Sequence, residues 1–241
     1  MKKIVAIALL AFFGYYLLMS FIQIDFGKAD QRFNVSNQYL VESVQTNKVA
    51  NVITSIVVNF RGFDTLGEVS VLFLASTALA SILYRRKEPG VVVPEARIMT
   101  SASHLLHIGA KILFPVSIVL GTYIFIHGHL TPGGGFQGGA VIATGVLLMI
   151  LSYRKFHISH HAISWVESIA GISFVTIGFT GLIFGTSFLE NFISVGTLNS
   201  LISGGAIPLI YIAVGFKVGA ELIGLLDNIL LNNEELLHNR K

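Results

Sequence analysis

Apolar residues in this chain gather into six long blocks separated by short polar breaks. A helix needs roughly 20 residues to cross a bilayer. The blocks Ile4–Ile22, Thr65–Tyr84, Leu105–Ile126, Pro132–Tyr153, Ala162–Phe184 and Gly204–Leu226 reach that length. The pattern therefore predicts an all-α integral membrane protein with six transmembrane helices. The first block follows Met1-Lys2-Lys3, as a signal peptide would. Its apolar core is too long for one, and no small-x-small cleavage pattern follows Ser20, so it reads as an uncleaved span.

Two stretches interrupt a plain series of hairpins. Residues Asp25–Asp64 form a long segment in which "NKVANVITSIVVNF" alternates apolar and polar residues at helical spacing. That spacing predicts a short amphipathic helix near Val49–Phe60, lying on the outer surface. The second, "RRKEPGVVVPEAR" (Arg85–Arg97), combines two prolines, a glycine and mixed charge. It reads as a cytoplasmic linker. The organisation expected is a two-span module over 1–87, a linker over 88–97 and a four-span module over 98–241.

Composition agrees with a membrane setting. Of 241 residues, 53% are hydrophobic and 12% charged, against about 25% charged in soluble domains, and the mean hydropathy is +0.74. No cysteine is present, which excludes disulfides and thiolate metal sites. The net charge of +3 forms no basic stripe, so nucleic acid is not an expected partner. With Lys2 and Lys3 cytoplasmic, Arg85, Arg86, Lys87, Arg97, Arg154, Lys155, Arg240 and Lys241 fall on the same side. Only Lys28, Arg32, Lys48 and Arg61 fall outside. Cytoplasmic N and C termini in the cell membrane satisfy the positive-inside rule.

The fourth block opens unusually, with "HGHLTPGGGFQGG". Each glycine costs a helix about 1 kcal/mol relative to alanine. Two readings account for Pro132, Gly133, Gly134, Gly135, Gln137, Gly138 and Gly139. In one, Thr131 caps a helix starting at Pro132, and the small-xxx-small pairs Gly134/Gly138 and Gly135/Gly139 form a close-packing face, partly against other chains. In the other, the start is unwound, and its backbone groups are buried in protein or line a wet cavity. A nucleotide-binding loop does not fit, because no Gly-Lys-Ser/Thr follows and no strand precedes.

Charges within apolar blocks are costly and need a reason. Arg61, Asp64 and Glu68 share one helix face. Either Thr65-x-x-Glu68 is a capping box, or Asp64 and Glu68 line the outer half of a cation route. Lys217 and Glu221 lie one turn apart, and either pair with each other or meet a facing subunit or water. Glu167 and Lys111 lie near helix ends, either as an interfacial anchor and a snorkelling cation or, with Lys217 and Glu221, as candidates for the inner part of a cation/proton path. His104, His107, His160 and His161 flank inner helix ends and read as interface residues. The His104-x-x-His107 spacing lacks a third metal ligand. His127 and His129 stand at the outer end, as interface residues or proton handlers.

"HGHLTPGGGFQGG", with "KILFPVSIVLGTYIFIHGH" before it and "VGFKVGAELIG" after it, resembles the B-type (MnhB) subunit of Mrp-type multisubunit cation/proton antiporters. That module is shared with the ion-pumping half of membrane-bound hydrogenases. "VVNFRGFDTLGEVSVLFLA" resembles the C-terminal part of the large A-type antiporter subunit. The resemblance implies two neighbouring modules fused at the proline-containing linker. It also implies other membrane subunits as partners, Na+ or H+ as the transported ion, and no cofactor or metal in this chain. It favours the cation-route reading of "RGFDTLGE". The function expected is thus a subunit that helps form a cation/proton path, with any redox driver in other subunits. The alternative is a non-transporting scaffold that holds the membrane module together. No nucleophile–base pair or cofactor loop points to an enzyme.

Overall fold

The computed structural model describes residues 2–23, 35–83, 102–153, 156 and 158–238, and among them there is no β-strand. The elements are α1 (Lys2–Gln23), α2 (Val35–Gln45), α3 (Val52–Ser55), a π turn (Ile56–Phe60), α4 (Gly62–Leu83), α5 (His104–Ile126), α6 (Gly135–Ser152), α7 (His160–Phe184) and α8 (Ile207–His238). Among the described residues, five stretches are long and apolar enough to cross a membrane: Gly62–Ile82, His104–Ile126, Gly135–Ser152, His160–Phe184 and Ile207–Ile229. A shorter apolar helix, Ala6–Ile22, falls where the first of the six expected spans lies. The expected linker Arg85–Arg97 lies outside the described residues.

The chain forms two compact units, Met1–Gln38 and Tyr39–Lys241. The first contains α1, whose described side chains are largely exposed. In the second, α8 is the axis. Helix α6 packs on both α5 and α8, while α7 and α4 pack on α8. One apolar core joins Val58, Val69, Phe174, Ile210, Val214 and Val218. Another joins Ala143, Val146, Ile150, Ala220 and Ile223.

Between membrane helices the lipid offers no hydrophobic gain, so close backbone approach must hold them together. Glycine supplies it here. A Cβ on Gly138 would stand 2.5 Å from the Gly121 carbonyl oxygen. One on Gly139 would stand 2.8 Å from the Gly215 oxygen and the Gly219 nitrogen. Gly135 lies against Val214 and Tyr211 of α8 in the same way. The glycine face expected to meet partly other chains is thus filled by α5 and α8 of this one.

Three boundaries differ from the sequence pattern, each for a local reason. The fourth span starts at Gly135, not Pro132. Thr131 does not cap it; its hydroxyl donates back to the His127 carbonyl at 3.2 Å. The last span starts at Ile207, not Gly204. Gly204 and Gly205 sit at φ +88° and +62°, a region glycine tolerates and a helix does not use. The second span starts at Gly62, so Thr65 lies inside α4 and forms no capping box. Its hydroxyl donates instead to the Val57 carbonyl at 2.5 Å. The amphipathic segment near Val49–Phe60 is not a surface helix either. It is α3 plus the π turn, with Thr54, Ser55 and Val58 buried.

Candidate functional site

Residues 127–134 connect α5 to α6; the His127 carbonyl accepts from the Leu130 and Thr131 N–H groups and the Gly134 carbonyl from that of Gly138, while the carbonyls of Gly128, His129 and Thr131 need donors from other elements. Irregular backbone at membrane depth persists only where protein or water satisfies it. The Gly128 carbonyl accepts from the Thr54 hydroxyl at 2.6 Å and from Asn51 Nδ2 at 2.9 Å. The same Asn51 amide donates to the Thr131 carbonyl at 2.9 Å. The Asn51 backbone N–H donates to the His129 carbonyl at 3.1 Å. The Tyr211 hydroxyl of α8 donates to Thr54 Oγ1 at 3.1 Å. The glycine loop is therefore latched by α3 on one side and α8 on the other.

The two histidines of this loop have different surroundings. His127 is half-buried and stacks on Tyr123 with ring centroids 4.3 Å apart. His129 is fully buried, and neither ring nitrogen has a hydrogen-bond partner among the described residues. Burial drives its pKa below the ordinary 6.5, and the neighbouring His127 charge adds to this. Backbone groups of Ser200, Leu201 and Ile126 act in the opposite sense without offsetting it. His129 is a neutral ring sealed under the loop that precedes α8.

The second feature lies in the helix bundle. Lys217 Nζ of α8 is 2.8 Å from Glu167 Oε1 of α7 and forms a second ion pair with Glu221. Phe73 of α4 presents its ring to the same ammonium, 4.8 Å from centroid to nitrogen. The Glu221 side chain is fully buried, and Oε2 has no hydrogen-bond partner among the described residues. Two carboxylates thus share one ammonium where three helices approach. Farther along the antiparallel α7–α8 pair, His160 Nε2 is 3.2 Å from Asp227 Oδ2. His160 and Glu167 are seven residues apart, so they lie on one face of α7 about two turns apart.

The structure brings together three of the sequence-derived candidates, Glu167, Lys217 and Glu221. It leaves the others apart. Asp64 is exposed and paired with Arg61. Glu68 is exposed on α4. Lys111 is exposed on α5, with its ammonium 5.9 Å from the Tyr153 ring centroid. Pro132 and Gln137 are exposed beside the buried Gly134, Gly135, Gly138 and Gly139, with Gly133 intermediate. His107 Nδ1 lies 3.1 Å from the Ser103 carbonyl, and its ring meets Tyr153 edge-on. His104 and His161 are exposed. Asn51, Thr54, Tyr211 and the pairing of His160 with Asp227 were not anticipated. The available signal was polar side chains inside apolar segments.

The family model described as a domain related to the MnhB subunit of Na+/H+ antiporters matches residues 105–224. The MbhE model, which describes the E-type subunit of MBH, matches residues 2–97. A chain of the membrane-bound sulfane sulfur reductase, an archaeal respiratory membrane complex, is 40% identical with a TM-score of 0.73. The alignment covers 95% of this chain and 98% of that one. This chain belongs to the MnhB-related family. A chain of the Mrp complex from Dietzia sp. shares the fold, with a TM-score of 0.67 at 22% identity over 95% of this chain and 26% of that one. The probable K(+)/H(+) antiporter A/B protein of Rhizobium meliloti is 28% identical over 65% of this chain. The chain spans only 18% of that relative's length. The MnhB-related match takes in the charge cluster and the glycine loop, while Asn51 and Thr54 fall in the MbhE match. The latch between them joins the two matched regions.

Proposed function

We propose that this chain is a membrane subunit of a multisubunit Na+/H+ antiporter-like complex and contributes a charge-relay element to its cation/proton path. Six spans with both termini cytoplasmic, in the cell membrane, complete the reading. The observation that carries it is the Glu167–Lys217–Glu221 cluster. With both carboxylates ionised, the cluster carries one negative charge more than its single ammonium compensates. In a low-dielectric interior that charge favours uptake of one proton or cation. Loss of the bound ion returns the cluster to its starting state, which is what a relay requires. Relatives in an Mrp complex and in a respiratory membrane complex support partners that hold the rest of the path and any redox driver. Asp64 and Glu68, exposed on α4, belong in this reading to a surface that faces such partners.

The test is transport by the complete complex in proteoliposomes with Glu167→Gln or Glu221→Gln. Cation-coupled proton movement is expected to fall at least tenfold while native gels show intact assembly. Undiminished transport in an assembled variant overturns the relay role.

A further inference from the structure

Helices α4 and α7 both pack on α8 but scarcely on each other. Their walls meet at one end, where the Phe63 ring lies 5.2 Å from Phe188, just beyond α7. There Leu189 also lies beneath Gly62. Toward the middle of the bundle the walls part, and α8 forms the floor of a groove. Phe73 stands on one wall, 45% exposed, with Glu167 on the other and Lys217 between them. Gly171 of α7 faces the Lys217 stem: a Cβ on it would lie in ordinary contact, 3.5 Å from the Lys217 side chain. Exposure is graded across the cluster, with side chains at 23% for Glu167, 11% for Lys217 and none for Glu221. Within the Tyr39–Lys241 unit the buried charge thus opens sideways, through Glu167.

From this geometry we propose that the α4–α7 groove is the docking site for a transmembrane helix of a neighbouring subunit, which carries a Lys, Arg or His side chain to Glu167. Three features select that occupant. Glu167 is the partly exposed carboxylate of the cluster, and with both carboxylates ionised the cluster has one negative charge in excess, so the complementary group is cationic. Glu167 lies seven residues into α7, about 10 Å along its axis, inside the stretch His160–Phe184 that is long and apolar enough to span. Acyl chains cannot solvate a carboxylate there. Phe73, 45% exposed, gives the groove an apolar lip, which suits a helix. The inference rests on the relay reading for its purpose, but its site stands on packing and charge.

The test places the photo-crosslinker p-benzoylphenylalanine at Phe73 in the complete complex in native membranes. The same probe at Thr77, one turn on along the same face of α4, serves if the Phe73 variant does not assemble. Leu105 on α5, 81% exposed, is the control position. The expected product joins position 73 or 77 to a transmembrane segment of another subunit, with a Lys, Arg or His within one helical turn of the adduct. Its yield falls at least threefold when Glu167→Gln is added. Adducts only to lipid, only to this chain's own segments, or to a partner segment without a cationic residue overturn the proposal. The two readings separate cleanly. An adduct to a neighbouring subunit with undiminished transport in Glu167→Gln retains the docking and removes the relay. Lost transport in Glu167→Gln without such an adduct does the reverse.

Discussion

The Tyr211 hydroxyl donates to Thr54 Oγ1 across 157 residues of sequence, and Thr54 in turn donates to the Gly128 carbonyl. This relationship ties the start of the last helix to the loop that opens the glycine-rich one. Removing a buried partner costs more than removing a whole bond, because the group left behind is desolvated and unsatisfied. Thr54→Val strands the Tyr211 hydroxyl and takes one donor from Gly128. Tyr211→Phe leaves Thr54 still bonded to Gly128. Both variants are expected to lower the thermal unfolding midpoint in detergent. Thr54→Val loses about 1–3 kcal/mol and Tyr211→Phe less.

Gly138→Ala is expected to force α5 and α6 apart, because its Cβ would meet the Gly121 oxygen at 2.5 Å and Phe125 at 3.0 Å. Overpacking of this kind costs about 1–3 kcal/mol, which exceeds the roughly 1 kcal/mol that alanine gains in helix propensity. Gly67→Ala has nothing within 4 Å of the new atom and is expected to be neutral or stabilising. Thermal melts of the two variants side by side check the difference.

His129 gives a pH dependence with a definite sign. Its folded pKa lies below the ordinary 6.5, so the unfolded chain binds the proton more readily. Stability is then full above about pH 6.5 and is lost as pH falls from there through the folded pKa. Below both values the loss is complete and flat. Replacing the ring by the nearly isosteric amide in His129→Gln is expected to remove this acid-limb slope. Unfolding midpoints measured from pH 7.5 to 5, with and without the substitution, check it.

Lys217→Met leaves two carboxylates in the bundle with their shared cation gone. Breaking a buried ion pair from one side costs about 3–5 kcal/mol, so poor assembly is expected. Adding Glu221→Gln to it is expected to recover much of that loss, since one orphaned charge goes with it. A double-mutant cycle on complex yield and melting temperature measures the coupling. Additive losses would show that Lys217 and Glu221 do not act as a pair.

The helical membrane architecture was legible in the apolar blocks, because block length alone decides whether a helix can span. The pairing of Lys217 with Glu221 was legible from one-turn spacing. Glu167 stands out in the sequence as an anchor or a path acid but without a partner, because that partner lies 50 residues away and antiparallel packing of α7 on α8 is not written in local spacing. The glycine run signalled close packing, yet composition cannot say whose helix fills the space. Here Gly121 and Gly215 of the same chain fill it. Thr65-x-x-Glu68 looked like a helix start because the pattern matched. Upstream, however, the chain was already coiled through Ile56–Phe60, so Thr65 had a different acceptor to serve.

That wide coil at Ile56–Phe60 closes its turn with one residue more than an α-helix uses, the Arg61 N–H reaching back to the Ile56 carbonyl. Ordinary winding closes the same turn with one residue fewer, so a deletion there can be absorbed with little change in the direction α4 faces. A deletion inside α4, between Thr65 and Phe73, has no such slack and would turn Phe73 by about 100° off the Lys217 ammonium. The wide coil is thereby a length buffer, able to give up a residue that the second span cannot spare.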